Sequence, residues 1–73
     1  MNREDWLKII ETNNGKKRLE GSSSSEILTC AFALGRWAEA PEALRSDPWA
    51  AWNRRLSAVQ REAVQEWRAT SWE

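Results

Sequence analysis

The chain is expected to be all-α: a compact small bundle of three to four helices with a mobile Ser-rich loop. Three observations predict this. Apolar residues recur at three- and four-residue spacings in its long segments. Asn2, Ser23 and Asp47 each stand where a helix needs an N-cap. The strict alternation of a half-buried strand is missing. With 73 residues, one single helical domain over residues 1–73 is expected. Its helices are placed near 3–12, 24–39, 41–45 and 48–70, with a flexible connection over 15–23.

The first helix opens on Asn2, with Asp5 three residues on as the partner of a capping box. Glu4 and Asp5 suit the positive end of the helix dipole. Trp6, Ile9 and Ile10 form one apolar stripe, with Leu7 beside it. Asn14-Gly15 then provides a left-handed stop. An Asn-Gly pair is also a hairpin signal, but the second arm, Lys16-Lys17-Arg18-Leu19-Glu20, does not alternate. The connection continues through Gly21 and the serines Ser22 to Ser25. It has little apolar area to bury and is expected to be mobile.

Ser23 and Glu26 form a second capping box. The helix they open is apolar over most of its circumference. Ile27, Ala31, Leu34 and Ala38 share a face, Cys30 and Trp37 flank it, and Leu28 and Phe32 lie to one side. Only Thr29 and Arg36 mark a polar strip, so this is expected to be the central helix. Pro41 suits the start of a short helix ending near Arg45. Asp47 and Pro48 then open the longest element, which would reach ~34 Å if unbroken to Thr70. Trp49, Trp52, Leu56, Val59, Ala63 and Trp67 form its core-facing stripe, with Val64 beside it. Arg54, Arg61 and Arg68 recur on the opposite side. Ser71-Trp72-Glu73 is expected to fray.

Composition separates function classes. Six residues are tryptophan, and there is one phenylalanine but no tyrosine or histidine. Trp is seldom fully buried and is enriched at binding hot spots, so some indoles are expected to meet a partner. Without histidine the usual general base and the commonest metal ligand are missing. Cys30 is the only cysteine, which excludes an internal disulfide and a cysteine-based zinc site. No Gly-rich phosphate loop and no acidic metal cluster is apparent. Ser22 to Ser25 lack an activating base and read as linker and cap. No enzymatic activity and no cofactor is expected. The eleven acidic residues balance the eleven basic ones, unlike the basic excess of a general nucleic-acid binder. The sequence has no secretory core or membrane-length apolar run, and a cytosolic location is expected.

Three features carry the binding potential. The first is the N-terminal segment and its basic neighbour: Arg3, Glu4, Trp6, Lys8, Lys16, Lys17 and Arg18. A partly exposed Trp6 beside cations would suit an acidic or phosphate-bearing surface, against the simpler reading of a core Trp and solvated lysines. The second is the Arg54, Arg61 and Arg68 ridge, which can meet phosphates or acidic groups but is interspersed with Glu62, Gln65 and Glu66. The third is the group Trp37, Trp49 and Trp52, expected to be core, with Trp49 half exposed.

From Met-Asn-Arg-Glu-Asp-Trp at its start to Ala-Thr-Ser-Trp-Glu at its end, the chain resembles small phage-encoded regulators that bind host bacterial RNA polymerase. The resemblance rests on length, the opening segment and the Trp-rich helical make-up. It implies a compact helical protein in the host cytosol, monomeric when free. It further implies binding to the N-terminal part of the β′ subunit near the RNA exit channel, inhibition of initiation by interfering with sigma engagement, and antitermination. The basic loop would additionally be able to touch RNA phosphates. Two other readings stand beside it: a helix-turn-helix-like domain reading DNA or RNA through Arg54, Arg61 and Arg68, and a decoy for another host system.

Overall fold

The computed structural model describes residues 1–71, so the expectation for Trp72 and Glu73 lies outside the described residues. Helix α1 spans Arg3–Asn13. Asn2 Oδ1 accepts the Asp5 N–H and Asp5 Oδ2 accepts the Asn2 N–H, both at 3.0 Å. This reciprocal pair satisfies two donors that a helix start leaves open. At the other end Asn14 N–H reaches the Ile10 and Glu11 carbonyls. Gly15 then takes φ 87°, a conformation that favours glycine. No strand follows among the described residues, so Asn14-Gly15 acts as the stop and not as a hairpin turn.

The connection has no regular structure but is tied along its length. Asn13, 2 % exposed, accepts the Glu20 N–H through Oδ1 at 2.6 Å. Glu39 accepts the Leu19 N–H at 2.9 Å. The Arg36 guanidinium donates to the carbonyls of Lys16 and Lys17 at 2.6 and 2.7 Å, and it also pairs with Glu39. Arg36 and Glu39 thus form one clamp that grips the strap from Lys16 to Leu19. The expectation of a flexible 15–23 connection omitted this clamp, because its members lie some twenty residues away.

Helix α2 spans Ser24–Leu34, capped by Ser23. It stops earlier than the predicted Glu39, because Gly35 turns left-handed at φ 67° and its N–H closes on Ala31. Trp37–Glu39 forms a separate single 3-10 turn, and Glu42–Leu44 another. The predicted 41–45 helix is therefore one 3-10 turn that begins after Pro41.

The predicted continuous helix 48–70 is also corrected. Helix α3, Pro48–Ala50, is capped by Asp47 and runs into a π turn over Ala51–Arg55. Leu56 is then extended (φ −99°, ψ 136°) and 4 % exposed. Helix α4, Ala58–Ser71, starts afresh. Ser57 Oγ accepts the Gln60 N–H at 3.3 Å, while Gln60 Oε1 accepts the Ser57 N–H at 2.8 Å. This is a capping box. The break lets Leu56 fill the core beside α2 while α4 turns along α1 and α2.

Helices α1, α2 and α4 each pack against the other two. Their shared core holds Trp6, Ile10, Cys30, Ala33, Ala63 and Val64. A second cluster, Leu28, Ala31, Ala40, Ala51 and Leu56, seats the 3-10 turns and α3 on the other side of α2. Leu19, Phe32 and Trp52 pack against both clusters. The central position expected for α2 follows from burial on both sides. None of the described helices is long and apolar enough to cross a membrane.

Candidate binding surface

The N-terminal residues singled out in the sequence do not form one patch. Arg3 is exposed and pairs with Glu66 of α4 at 3.1 Å. Glu4 and Lys8 are exposed on α1. Trp6 is 8 % exposed and belongs to the core, so of the two readings the core one holds and the partly exposed anchor does not. The apolar stripe it shares with Ile10 faces α2 and α4, and an indole at that register fills the interior. Lys16 to Arg18 follow α1 at its far end, ~15 Å from Arg3 by helical rise.

Within the basic triplet the three side chains have different surroundings. Lys16 Nζ donates to Glu20 Oε2 at 2.8 Å. That hydrogen bond and the lysine charge hold the Glu20 carboxyl below its ordinary range. Lys17 and Arg18 are exposed. The Arg36–Glu39 clamp grips the Lys16 and Lys17 carbonyls and the Leu19 N–H and leaves the Lys17 and Arg18 side chains to solvent. Lys17 and Arg18, with Lys8, are the cations of this region that no ion pair occupies among the described residues.

The arginine ridge is not present as predicted. Arg54 lies in the π turn, whereas Arg61 and Arg68 belong to α4 beyond the break at Leu56. Arg61 is half-buried. Arg68 donates from Nη1 to the Phe32 carbonyl at 2.8 Å, tying α4 to α2. The three side chains therefore do not project from one straight helix.

The indoles sort differently from the sequence reading. Trp37, Trp52 and Trp67 are half-buried. Trp37 Nε1 donates to the Arg45 carbonyl at 3.0 Å. Phe32 lies between the Trp37 and Trp52 rings, with centroids at 4.7 and 5.0 Å. Trp49 is 70 % exposed, more than the half exposure expected. It sits on α3, where Asn53 Nδ2 donates to its carbonyl at 2.8 Å. Its backbone is held while its ring remains in water.

Several concavities adjoin these features, two of which touch an indole or the arginines of the π turn. One groove of 230 Å³ runs between α1 and α4, lined by Leu7, Lys8, Glu11, Glu66, Trp67 and Thr70. A cleft of 270 Å³ lies between the first turn of α2 and the π turn, lined by Ser24, Ser25, Leu28, Leu44, Arg54 and Arg55. The sequence reading missed this cleft. It depends on the π turn, whose only advance signal is the Ser57/Gln60 capping pair that breaks the long helix. Among the described residues no group of three or more His, Cys, Asp or Glu is placed to hold a metal ion. Comparison with known protein families, curated proteins and solved structures finds no match.

Proposed function

We propose that this chain is a phage-type regulator that docks on host bacterial RNA polymerase, at the N-terminal region of β′ near the RNA exit channel. Docking there would inhibit initiation by interfering with sigma engagement and would promote antitermination. The polymerase target comes from the resemblance in length, opening segment and Trp-rich helical make-up. The observation that carries a binding role is Trp49. A ring 70 % exposed has little to do with holding the fold, and Trp is the side chain most suited to anchoring an interface. The exposed cations Lys8, Lys17 and Arg18 would steer encounter with an acidic surface. A small protein of this kind changes a large machine by binding one of its states better than another.

Retention by purified polymerase in a stoichiometric pull-down tests the reading. Binding without turnover, reduced by Trp49→Ala, is expected. A correctly folded protein that polymerase does not retain overturns it. Titration with a β′ N-terminal fragment should perturb the backbone amides of residues 1–18 and the Trp49 indole N–H. A nucleic-acid recognition helix built on Arg54, Arg61 and Arg68 has lost its geometric basis, since the break at Leu56 separates the first from the other two.

A further inference from the structure

We propose that the cleft between α2 and the π turn is a binding site for a phosphate group. Its lining is Ser24, Ser25, Leu28, Leu44, Arg54 and Arg55. The lining includes two guanidiniums and no carboxylate, in a chain whose net charge is zero. The cleft is therefore locally positive.

Neither arginine is used by the fold. Both are exposed, and among the described residues neither side chain makes a hydrogen bond or an ion pair. Three arginines of the later chain contrast with them: Arg36 grips two carbonyls, Arg45 Nε donates to the Ala40 carbonyl and Arg68 donates to the Phe32 carbonyl. Arg54 and Arg55 are consecutive, yet both border the same cleft. The π turn over Ala51–Arg55 sets them there, and single π turns are rare and often accompany functional sites.

The opposite wall supplies more donors. The Ser24 and Ser25 hydroxyls have no hydrogen-bond partner among the described residues. Leu28, 1 % exposed, supplies a buried apolar part of the lining. Two planar forks and two hydroxyls offer more donors than a carboxylate with two oxygens can use. A phosphate, with more oxygens and charge, can use them together. The ligand is therefore a phosphate, either free, as a monoester, or as a phosphodiester of a single nucleic-acid strand.

The site is tested by titrating the full-length protein with inorganic phosphate while following backbone amides and arginine Nε–H signals by NMR. Saturable shifts at Ser24, Ser25, Arg54 and Arg55 are expected. A parallel titration uses a short single-stranded RNA without terminal phosphate. Shifts at the same residues identify a phosphodiester, whereas a response to inorganic phosphate alone identifies a free or monoester group. Both results support the site. In the Arg54→Gln/Arg55→Gln variant phosphate affinity should fall roughly tenfold or more, while Arg61→Gln leaves it unchanged. Both arginines are exposed, so the circular dichroism melt of the double variant should match the parent.

Three results would overturn the proposal. One is no shift in the cleft. Another is shifts spread equally over Lys8, Lys17 and Arg18. The third is a cleft that binds an acidic peptide but not phosphate or RNA. The test does not involve polymerase, so failure here leaves the docking reading intact and failure there leaves this site intact.

Discussion

Gln60 satisfies both ends of its amide in a place that water hardly reaches. It is 5 % exposed, its Oε1 accepts the Ser57 N–H, and its Nε2 donates to Thr29 Oγ1 at 3.0 Å. Thr29 is 0 % exposed and its hydroxyl donates to the Ser25 carbonyl at 2.7 Å. The sequence placed Thr29 with Arg36 on a polar strip of a central helix; Arg36 lies beyond the end of α2, and Thr29 is left as a buried polar group that Gln60 of α4 matches. Thr29→Val should leave the Gln60 amide unpaired and cost about 1–3 kcal/mol. Adding Gln60→Leu should recover part of that loss, which a double-mutant cycle by chemical denaturation would detect as non-additivity. Cys30, on the same helix, is 0 % exposed. Burial, aided by the charge of Glu26, pushes its thiol up to about 11 from the ordinary 9.0. The native state therefore keeps its proton at pH values where the unfolded chain has lost it, and stability falls as pH rises between those two limits. Cys30→Ala should remove this part of the alkaline decline, and a thiol reagent at neutral pH should react slowly until denaturant is added.

Among the elements, three helix starts were legible, while the start of α4 and several helix ends were not. Asn2, Ser23 and Asp47 all accept the N–H that their positions require, because capping is local chemistry written in three or four adjacent residues. The end of α2 needed one residue to outweigh an apolar periodicity that runs on to Ala38. Gly35 does so, since its φ of 67° would cost an L-residue about 1–2 kcal/mol. Gly35→Ala meets no atom within 4 Å, so that strain is the expected loss in a denaturation experiment, without a packing penalty. The break between α3 and α4 was hidden for a different reason. Trp49, Trp52, Leu56, Val59 and Ala63 keep helical spacing across it, and periodicity does not register a turn that conserves the stripe. Ser57 and Gln60 carried the signal, as a capping pair inside what looked like a helix. Ser57→Ala should lose about 0.5–2 kcal/mol and is expected to loosen the π turn. If the phosphate cleft depends on that turn, the same variant should also weaken phosphate binding, as an NMR titration would show. The connection between α1 and α2 was misjudged because Arg36 and Glu39, which clamp it, are distant in sequence. A local reading of Gly21 and the serines has no access to such partners.

At the scale of the whole molecule the question is which indoles hold the fold and which are available to another molecule. The six rings are too many for equal treatment in a body of 30 × 27 × 24 Å. Trp6 fills the junction of α1, α2 and α4, and Trp37 and Trp52 both pack on Phe32, one tilted and one edge-on. Trp49 is left on the shortest helix with 70 % of its surface in water. This separation makes stability and binding independent in a way that can be measured. Trp6→Ala should cost about 3–5 kcal/mol as a large-to-small core change, a large fraction of the stability of so small a domain, and should weaken binding only through unfolding. Trp49→Ala should change stability by about 0.5 kcal/mol or less, yet weaken retention by polymerase by roughly thirtyfold or more, in keeping with loss of a hot spot worth ~2 kcal/mol. Trp49→Phe should retain part of that binding, because ring area and not the indole N–H is the main contribution. Thermal melts on each variant beside the pull-down separate the two effects. A Trp49→Ala protein that melts like the parent and binds like the parent would place the docking face elsewhere, with the exposed Lys8, Lys17 and Arg18 as the next residues to replace. If instead Trp49→Ala lowered the melt as far as Trp6→Ala, the indole would be structural in solution, and its exposure would no longer argue for a partner.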